Sequence, residues 1–309
     1  MMPLLRHSLF VLLLLFSATP WCGPATALTA GILFSLLFGN PWPKETAVWS
    51  KKLLQLSVVG LGFGVGIIEV WHAGREAVLY TPVSIGITVA LGMVLGKMLR
   101  TPTKASALIS FGTAICGGSA IAAMAPVIDA SDEDVAISMA TVFSLNAAAL
   151  LIFPPLGHLF ALTERQFGLW SALAIHDTSS VVGAASAFGA SALAIGTTVK
   201  LARAVWIAPS ALLASRFTNS KTKVGIPLFI VGFIAAAAVK SLMPSLNQVW
   251  HILSIVARQG LVTTLFLIGN GLTRDVLQRV GVRPLAQGTI LWIVVSAAVF
   301  FAVSSGIIL

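Results

Sequence analysis

Charged residues come singly or in short groups in this sequence, and between them lie apolar stretches long enough to cross a bilayer. A helix needs about 20 mainly apolar residues to span the hydrocarbon. With Lys and Arg as boundaries the chain divides into eleven candidate spans: 8–21, 24–38, 49–72, 79–98, 104–128, 134–158, 166–190, 192–215, 224–240, 249–272 and 285–308. Only 9% of the residues are charged against 57% apolar, and the mean hydropathy is +0.97. That balance excludes a water-soluble globule, where about 25% charged residues are usual. It also excludes disorder, which needs low hydrophobicity. The pI near 10.2 comes from scattered cations rather than one basic face, so no nucleic-acid partner is expected. Cys22 and Cys116 have no metal-ligand spacing, and no disulfide framework, metal or cofactor is expected.

The 309 residues read as one integral membrane domain. With a cytoplasmic amino terminus, the inner loops collect Arg6, Lys44, Lys51, Lys52, Lys97, Arg100, Lys104, Arg165, Arg216, Lys221, Lys223, Arg274, Arg279 and Arg283. Arg75 and Lys240 fall outside, as does the acidic cluster of Asp129, Asp132, Glu133 and Asp134. Basic residues in short loops stay cytoplasmic, so the expected orientation is amino terminus inside and carboxyl terminus outside. Residues 1–22 form an extra helix or a signal-like segment, since Arg6 precedes an apolar core. The remaining spans divide into two five-helix repeats, 24–159 and 166–309.

Away from the span ends, three cations fall inside predicted spans: Lys200, Arg203 and Arg258, with Asp177 as the one carboxylate there. Charge at that depth costs about 2.5 to 3.5 kcal/mol and usually marks a pathway. Lys200 and Arg203 are three residues apart and share a helix face. The structural alternative is that Lys200 snorkels while Arg203 pairs with Asp177. Two spans are interrupted near their midpoints. In the fifth, Cys116-Gly117-Gly118-Ser119 joins paired glycines to a serine suited to an N-cap. In the seventh, His176-Asp177-Thr178-Ser179-Ser180 is a run of polar residues. Such breaks are tolerated only around a protein-lined cavity, and each would aim a half-helix amino terminus, which attracts anions, at the membrane centre. Arg258-Gln259-Gly260 is a weaker break signal in the tenth span. Opposed interruptions in the fifth and tenth spans fit an inverted repeat with crossing discontinuous helices. Gly62, Gly64 and Gly66 are expected to serve close helix packing.

Four segments together resemble the YeiH family of bacterial inner-membrane proteins, a family proposed to export sulfate: Gly60-Leu61-Gly62-Phe63-Gly64; Ile115 to Ala120 with Pro126; His176-Asp177; and Lys200-Leu201-Ala202-Arg203 followed by Ala208-Pro209. The resemblance covers nearly the whole chain. It implies a fold similar to sodium/proton antiporters and bile-acid transporters, with ten core helices and two crossing broken helices. Asp177 stands where family members often carry Glu, and Ala125 where some carry a second carboxylate.

The expected function is ion-coupled secondary transport of a small anion, sulfate-like or organic, with no enzymatic step. Substrate would be held by Gly117, Gly118, Ser119, Thr178, Ser179, Lys200, Arg203 and Arg258. His176 and Asp177 would handle the coupling proton or sodium ion, since imidazole titrates near neutral pH. No Walker A pattern is present. A cation/proton antiporter is the alternative, and an intramembrane hydrolase using Ser119 or Ser179 with His176 and Asp177 a weaker one. A homodimer stays open as the assembly.

Overall fold

A computed structural model of the chain describes residues 3–218, 228–271, 273 and 281–308, with side chains outside 3–4, 73–80 and 217–218. Every regular element among these residues is helical. In chain order they are α1 (Pro3–Ser17), α2 (Pro24–Phe38), α3 (Pro43–Gly62), α4 (Ile67–Met98), α5 (Thr103–Ala114), α6 (Gly118–Met124), α7 (Asp132–Leu159), α8 (Glu164–Ala174), α9 (Thr178–Phe188), α10 (Ala190–Ala204), α11 (Ile207–Thr218), α12 (Leu228–Leu242), α13 (Asn247–Gly271) and α14 (Val282–Ser304). Lys221, Lys223, Val224, Leu272, Arg274 and Arg279, which bound predicted spans, lie outside the described residues. Among the described residues, five stretches are long and apolar enough to cross a membrane: Thr81–Met98, Asp132–Leu159, Ala190–Arg216, Pro244–Gly271 and Val282–Ser304. Leu12, Leu37, Val83, Ile87, Val256 and Phe301 are exposed on the outside of the bundle, which suits contact with lipid.

Local chemistry sets the helix ends. Proline opens α2 and α3, where its missing N–H has no helical partner to lose. Ser131 with Asp134, and Thr163 with Gln166, form capping boxes at α7 and α8, each satisfying two free backbone donors. The third and fourth spans part earlier than expected: the break is at 63–66, not 72–79. Gly62 ends α3 against α12, where a Cβ would lie 2.5 Å from Phe233 O, and at Gly60 one would lie 2.6 Å from Ala257 Cβ. These two glycines do serve close packing. Gly64 also lies against α13, where a Cβ would be 3.3 Å from Ser254 Cβ, while Gly66 serves the turn alone; Lys240 Nζ donates to Gly64 O at 3.1 Å.

The fifth and seventh spans do not cross the bundle as broken helices. Each is a hairpin that enters and leaves at the same end. Lys104, at the start of α5, lies 3.6 Å from the carboxylate of Asp129, which follows α6; a helix continuing through 25 residues would part them by more than 35 Å. The Glu164 carboxylate at the start of α8 accepts from Ser191 N at 2.7 Å, beyond the end of α9, and the Phe167 and Phe188 rings stack at 3.9 Å. The open ends face opposite ways, because α7 joins them. Near its start Ser138 Oγ donates to Ala105 O at 3.2 Å, and near its end Gly157 lies against Phe167 and Phe188. The acidic 129–134 loop therefore shares a face with Lys104, not the opposite one. Arg165 shares a pocket with Glu69 and His72, and so leaves the face to which its charge had assigned it.

The helices form two layers. In one, α13 packs along α2 and α3, with α12 on α3 and α1 on α13. In the other, α4, α7, α10 and α14 surround the two hairpins, and α11 leans on α6. The layers meet mainly where α9 touches α2 and α13, and where α4 touches α12.

Candidate functional site

The two hairpin tips meet inside the second layer. At Gly117 the backbone takes φ 63°, a conformation that favours glycine, and a Cβ there would lie 3.3 Å from Cα of Asp177. Gly117 thus supplies both the reversal of one tip and room for the other.

Asp177 is the N-cap of α9. Its carboxylate accepts from Ser179 N at 3.1 Å and from the Ser179 hydroxyl. Its own backbone N–H donates to Asn146 Oδ1 at 3.2 Å. An acidic side chain already occupies this helix amino terminus, so α9 does not present a bare dipole end to an anion as expected.

Lys200 and Arg203 are fully buried on α10, and both donate to backbone carbonyls, Arg203 to a hydroxyl as well. Lys200 Nζ donates to Ile175 O at 2.7 Å. Arg203 donates through Nε to Ala114 O at 2.6 Å, through Nη1 to Leu173 O at 2.7 Å and through Nη2 to Ser84 Oγ at 3.4 Å. Ala114 ends α5, and Leu173 and Ile175 bracket the end of α8. Carbonyls at a helix end have no intrahelical donor and carry the negative pole of its dipole. The two cations close both first arms, and Arg203 ties the hairpins to each other. Immediately beyond, α10 gives way to α11 at Val205 and Trp206. Pro209, four residues after Val205, was the overlooked signal for that interruption, because it has no N–H for the Val205 carbonyl.

A cavity of about 550 Å³ reaches the tips from the end of the bundle that carries Lys51. Its walls are α3 (Pro43, Thr46, Ser50, Lys51, Leu54) and the end of α13, facing α6 and α7. Gly118, Ser119, Asp177 and Ser179 form its floor. Four of the expected site residues thus line the cavity, Gly118, Ser119, Asp177 and Ser179, and Gly117 adjoins them against Asp177. Thr178 is buried beside them, and Lys200 and Arg203 stand behind the floor without lining the cavity. Sequence reasoning missed Thr46, Ser50 and Lys51, which are unremarkable loop-proximal residues until α3 brings them to the wall. A second cavity of about 480 Å³ opens on the opposite face, lined by Glu69, His72, Arg165, Ser191 and Thr198 among others.

Arg258 and His176 do not join the floor. Residues 247–271 form one continuous helix, so the expected break in the tenth span is absent: Gly260 faces α3, where a Cβ would lie 2.7 Å from Ser57 Oγ, and Gln259 donates to Ser17 O at 2.9 Å. Arg258 is exposed on the outer side of that helix and lines neither cavity. His176 is turned away from Asp177, buried with its ring 6.4 Å from Trp292. Neither ring nitrogen has a protein partner, so the Ser–His hydrogen bond that a hydrolase needs is not formed.

An all-helical bundle with lipid-suited surfaces, buried charges and hairpins meeting inside it defines a polytopic membrane protein. Residues 4–288 match the family model described as conserved hypothetical protein 698, and the chain belongs to that family, the YeiH family of its resemblance. It is 56% identical over 298 residues to a UPF0324 membrane protein of Geobacter sulfurreducens, covering 96% of each chain. It is 48% identical over 294 residues to one of Bdellovibrio bacteriovorus, covering 93% of this chain and 90% of the other. It is 43% identical over 297 residues to one of Vibrio vulnificus, covering 94% and 96%. No solved structure matches the chain.

Proposed function

We propose that this protein is a secondary active transporter of a small anion, sulfate-like or organic, in the bacterial inner membrane. The observation that carries the proposal is the pair of hairpins that enter from opposite faces and meet, Gly117 against Asp177, beside a cavity lined by Gly118, Ser119, Asp177 and Ser179. Irregular backbone at such depth is characteristic of transporter sites, and opposed entry is what an inverted repeat produces. The hairpins take the place of the fifth and tenth spans as the related pair. On this scheme α1–α4, α7, α10–α11 and α12–α14 cross the membrane, which puts the two termini on opposite sides. The face bearing Lys44, Lys51, Lys97 and Lys104 is cytoplasmic by the charge rule.

Lys200 and Arg203 against Asp177 leave one positive charge in excess at the tips. Protonation of Asp177 raises that excess to two, which a divalent anion such as sulfate on the floor, held by Ser119 and Ser179, balances, while Lys51 attracts anions at the mouth. Asp177 is the coupling carboxylate: protonation there neutralises the cap and frees the Ser179 donors for substrate. Cation/proton exchange is the second reading. It is favoured by Asp177, the one carboxylate among the described residues that line this cavity.

Flux into proteoliposomes of sulfate, sulfite and small organic anions, with proton and sodium gradients imposed separately, tests both. Anion movement driven by one gradient is the expected result. Proton exchange for sodium without any anion would favour the second reading, and silence in every combination with folded protein would overturn both.

A further inference from the structure

Several buried polar atoms beside the α8–α9 tip have no hydrogen-bond partner in the protein. His176 is the foremost, since both ring nitrogens lack one although the residue is 1% exposed. A neutral imidazole has one donor and one acceptor, and leaving both empty in a buried site is costly. Trp292 Nε1, an obligate donor, is likewise without a partner, and its ring centroid lies 6.4 Å from that of His176. Ser296 follows one turn along α14. Its carbonyl accepts from Trp170 Nε1 at 3.0 Å, which fixes this face of α14 against α8, yet its hydroxyl has no partner. On the other flank Asn146 uses Oδ1 to accept from Asp177 N. That settles which amide atom is which and leaves Nδ2 as an unused buried donor. None of the four side chains lines either cavity.

We propose that His176, Trp292, Ser296 and Asn146 enclose a water-holding pocket behind the α8–α9 tip, in which bound water supplies the hydrogen bonds of His176. A buried water takes two to four polar partners, and it can accept from indole and amide N–H groups while donating to a ring nitrogen. Two hydrogen bonds of about 2.9 Å through one oxygen suit the spacing of the rings. Water fits better than an ion, because none of the other three side chains carries a formal charge and an imidazole needs both a donor and an acceptor. The neighbouring residues His176 and Asp177 then meet water on different sides of the tip, one in this pocket and one in the cavity. The pocket does not depend on what the protein carries.

Radiolytic hydroxyl labelling tests this on the unmodified protein in lipid nanodiscs. Radicals formed from bound water attack the side chains beside it, so burial protects only dry residues. After correction for intrinsic reactivity and exposure, His176 and Trp292 are expected to oxidise several-fold faster than Phe233 and Phe266, which are as fully buried as His176. Trp292→Phe keeps a ring and removes the N–H, and is expected to lower oxidation of His176. Oxidation of His176 and Trp292 at the rate of Phe233 in the unmodified protein would overturn the proposal, whatever the variant does.

Discussion

Arg203 shows how far a single side chain can be understood from its type alone. Its charge at mid-span marks it as important, but charge does not say what it meets. Two of its partners lie 89 and 30 residues away in sequence and are backbone carbonyls, which no pattern of side chains reveals. A guanidinium can reach both at once because its donors fan out in a plane, which an ammonium cannot match. Arg203→Lys is therefore expected to lower thermal stability by the loss of one charged hydrogen bond, about 1.5 to 3 kcal/mol, and Arg203→Gln by more. Thermal unfolding of purified protein measures it. Weakened anion binding in Arg203→Lys with no change in melting temperature would show instead that the guanidinium contacts substrate. Asp177 offers the complementary case. Asn caps a helix about as well as Asp, so Asp177→Asn is expected to melt within about 0.5 kcal/mol of the parent while ion-coupled flux collapses. Asp177→Ala should lose both, with a stability cost of about 0.5 to 2 kcal/mol. If Asp177→Asn keeps full gradient-driven flux, the carboxylate is a cap and nothing more.

Two of the helix breaks were legible in the sequence, since Gly117-Gly118 and the polar run from His176 to Ser180 both fall at chain reversals, whereas the break expected at Arg258-Gln259-Gly260 is absent and the one after Ala204 was not foreseen. That the chain turns back at the first two was not legible. A broken crossing helix and a re-entrant hairpin contain the same apolar residues in the same amount, and hydropathy is blind to direction. The distinction rests on contacts such as Lys104 with Asp129, and it reverses the side of every loop between the two hairpins. Single cysteines at Asp129 and Lys104 are accordingly expected to react with an impermeant maleimide from the same side of the membrane, and one at Ser191 from the other. Labelling of the Asp129 and Lys104 positions from opposite sides would restore two broken crossing helices. The native Cys22 and Cys116 are buried and should contribute little background. The tips also define a sharp limit on substitution. Gly117→Ala combines a φ of 63°, which costs about 1 to 2 kcal/mol for a residue with a side chain, with a Cβ pressed to 3.3 Å from Asp177. Lower melting temperature and lost flux are expected together.

At the scale of the whole molecule the two layers give the cavity its meaning. One wall belongs to α3 and α13, the other to α6, α7 and the α9 tip, so any sliding of one layer against the other must open or close it. The composition of the chain foretold a membrane bundle but not this division, because which helices pair is decided by glycines and small residues brought together from distant positions, such as Gly31 against Phe266 and Gly62 against Phe233. With the cavity open on the Lys51 face, Ser119 is exposed on its floor. A cysteine in its place should react from that side in the resting protein. If the tips then pass between the two faces during turnover, imposing the driving gradient with substrate present should make the same cysteine reactive from the opposite side, through the region of Arg165 and Thr198. A site that only binds would stay reactive from the Lys51 side alone. Measured in oriented vesicles, reactivity of Ser119→Cys confined to one side under every gradient and substrate would remove alternating access from the account, and with it the transporter.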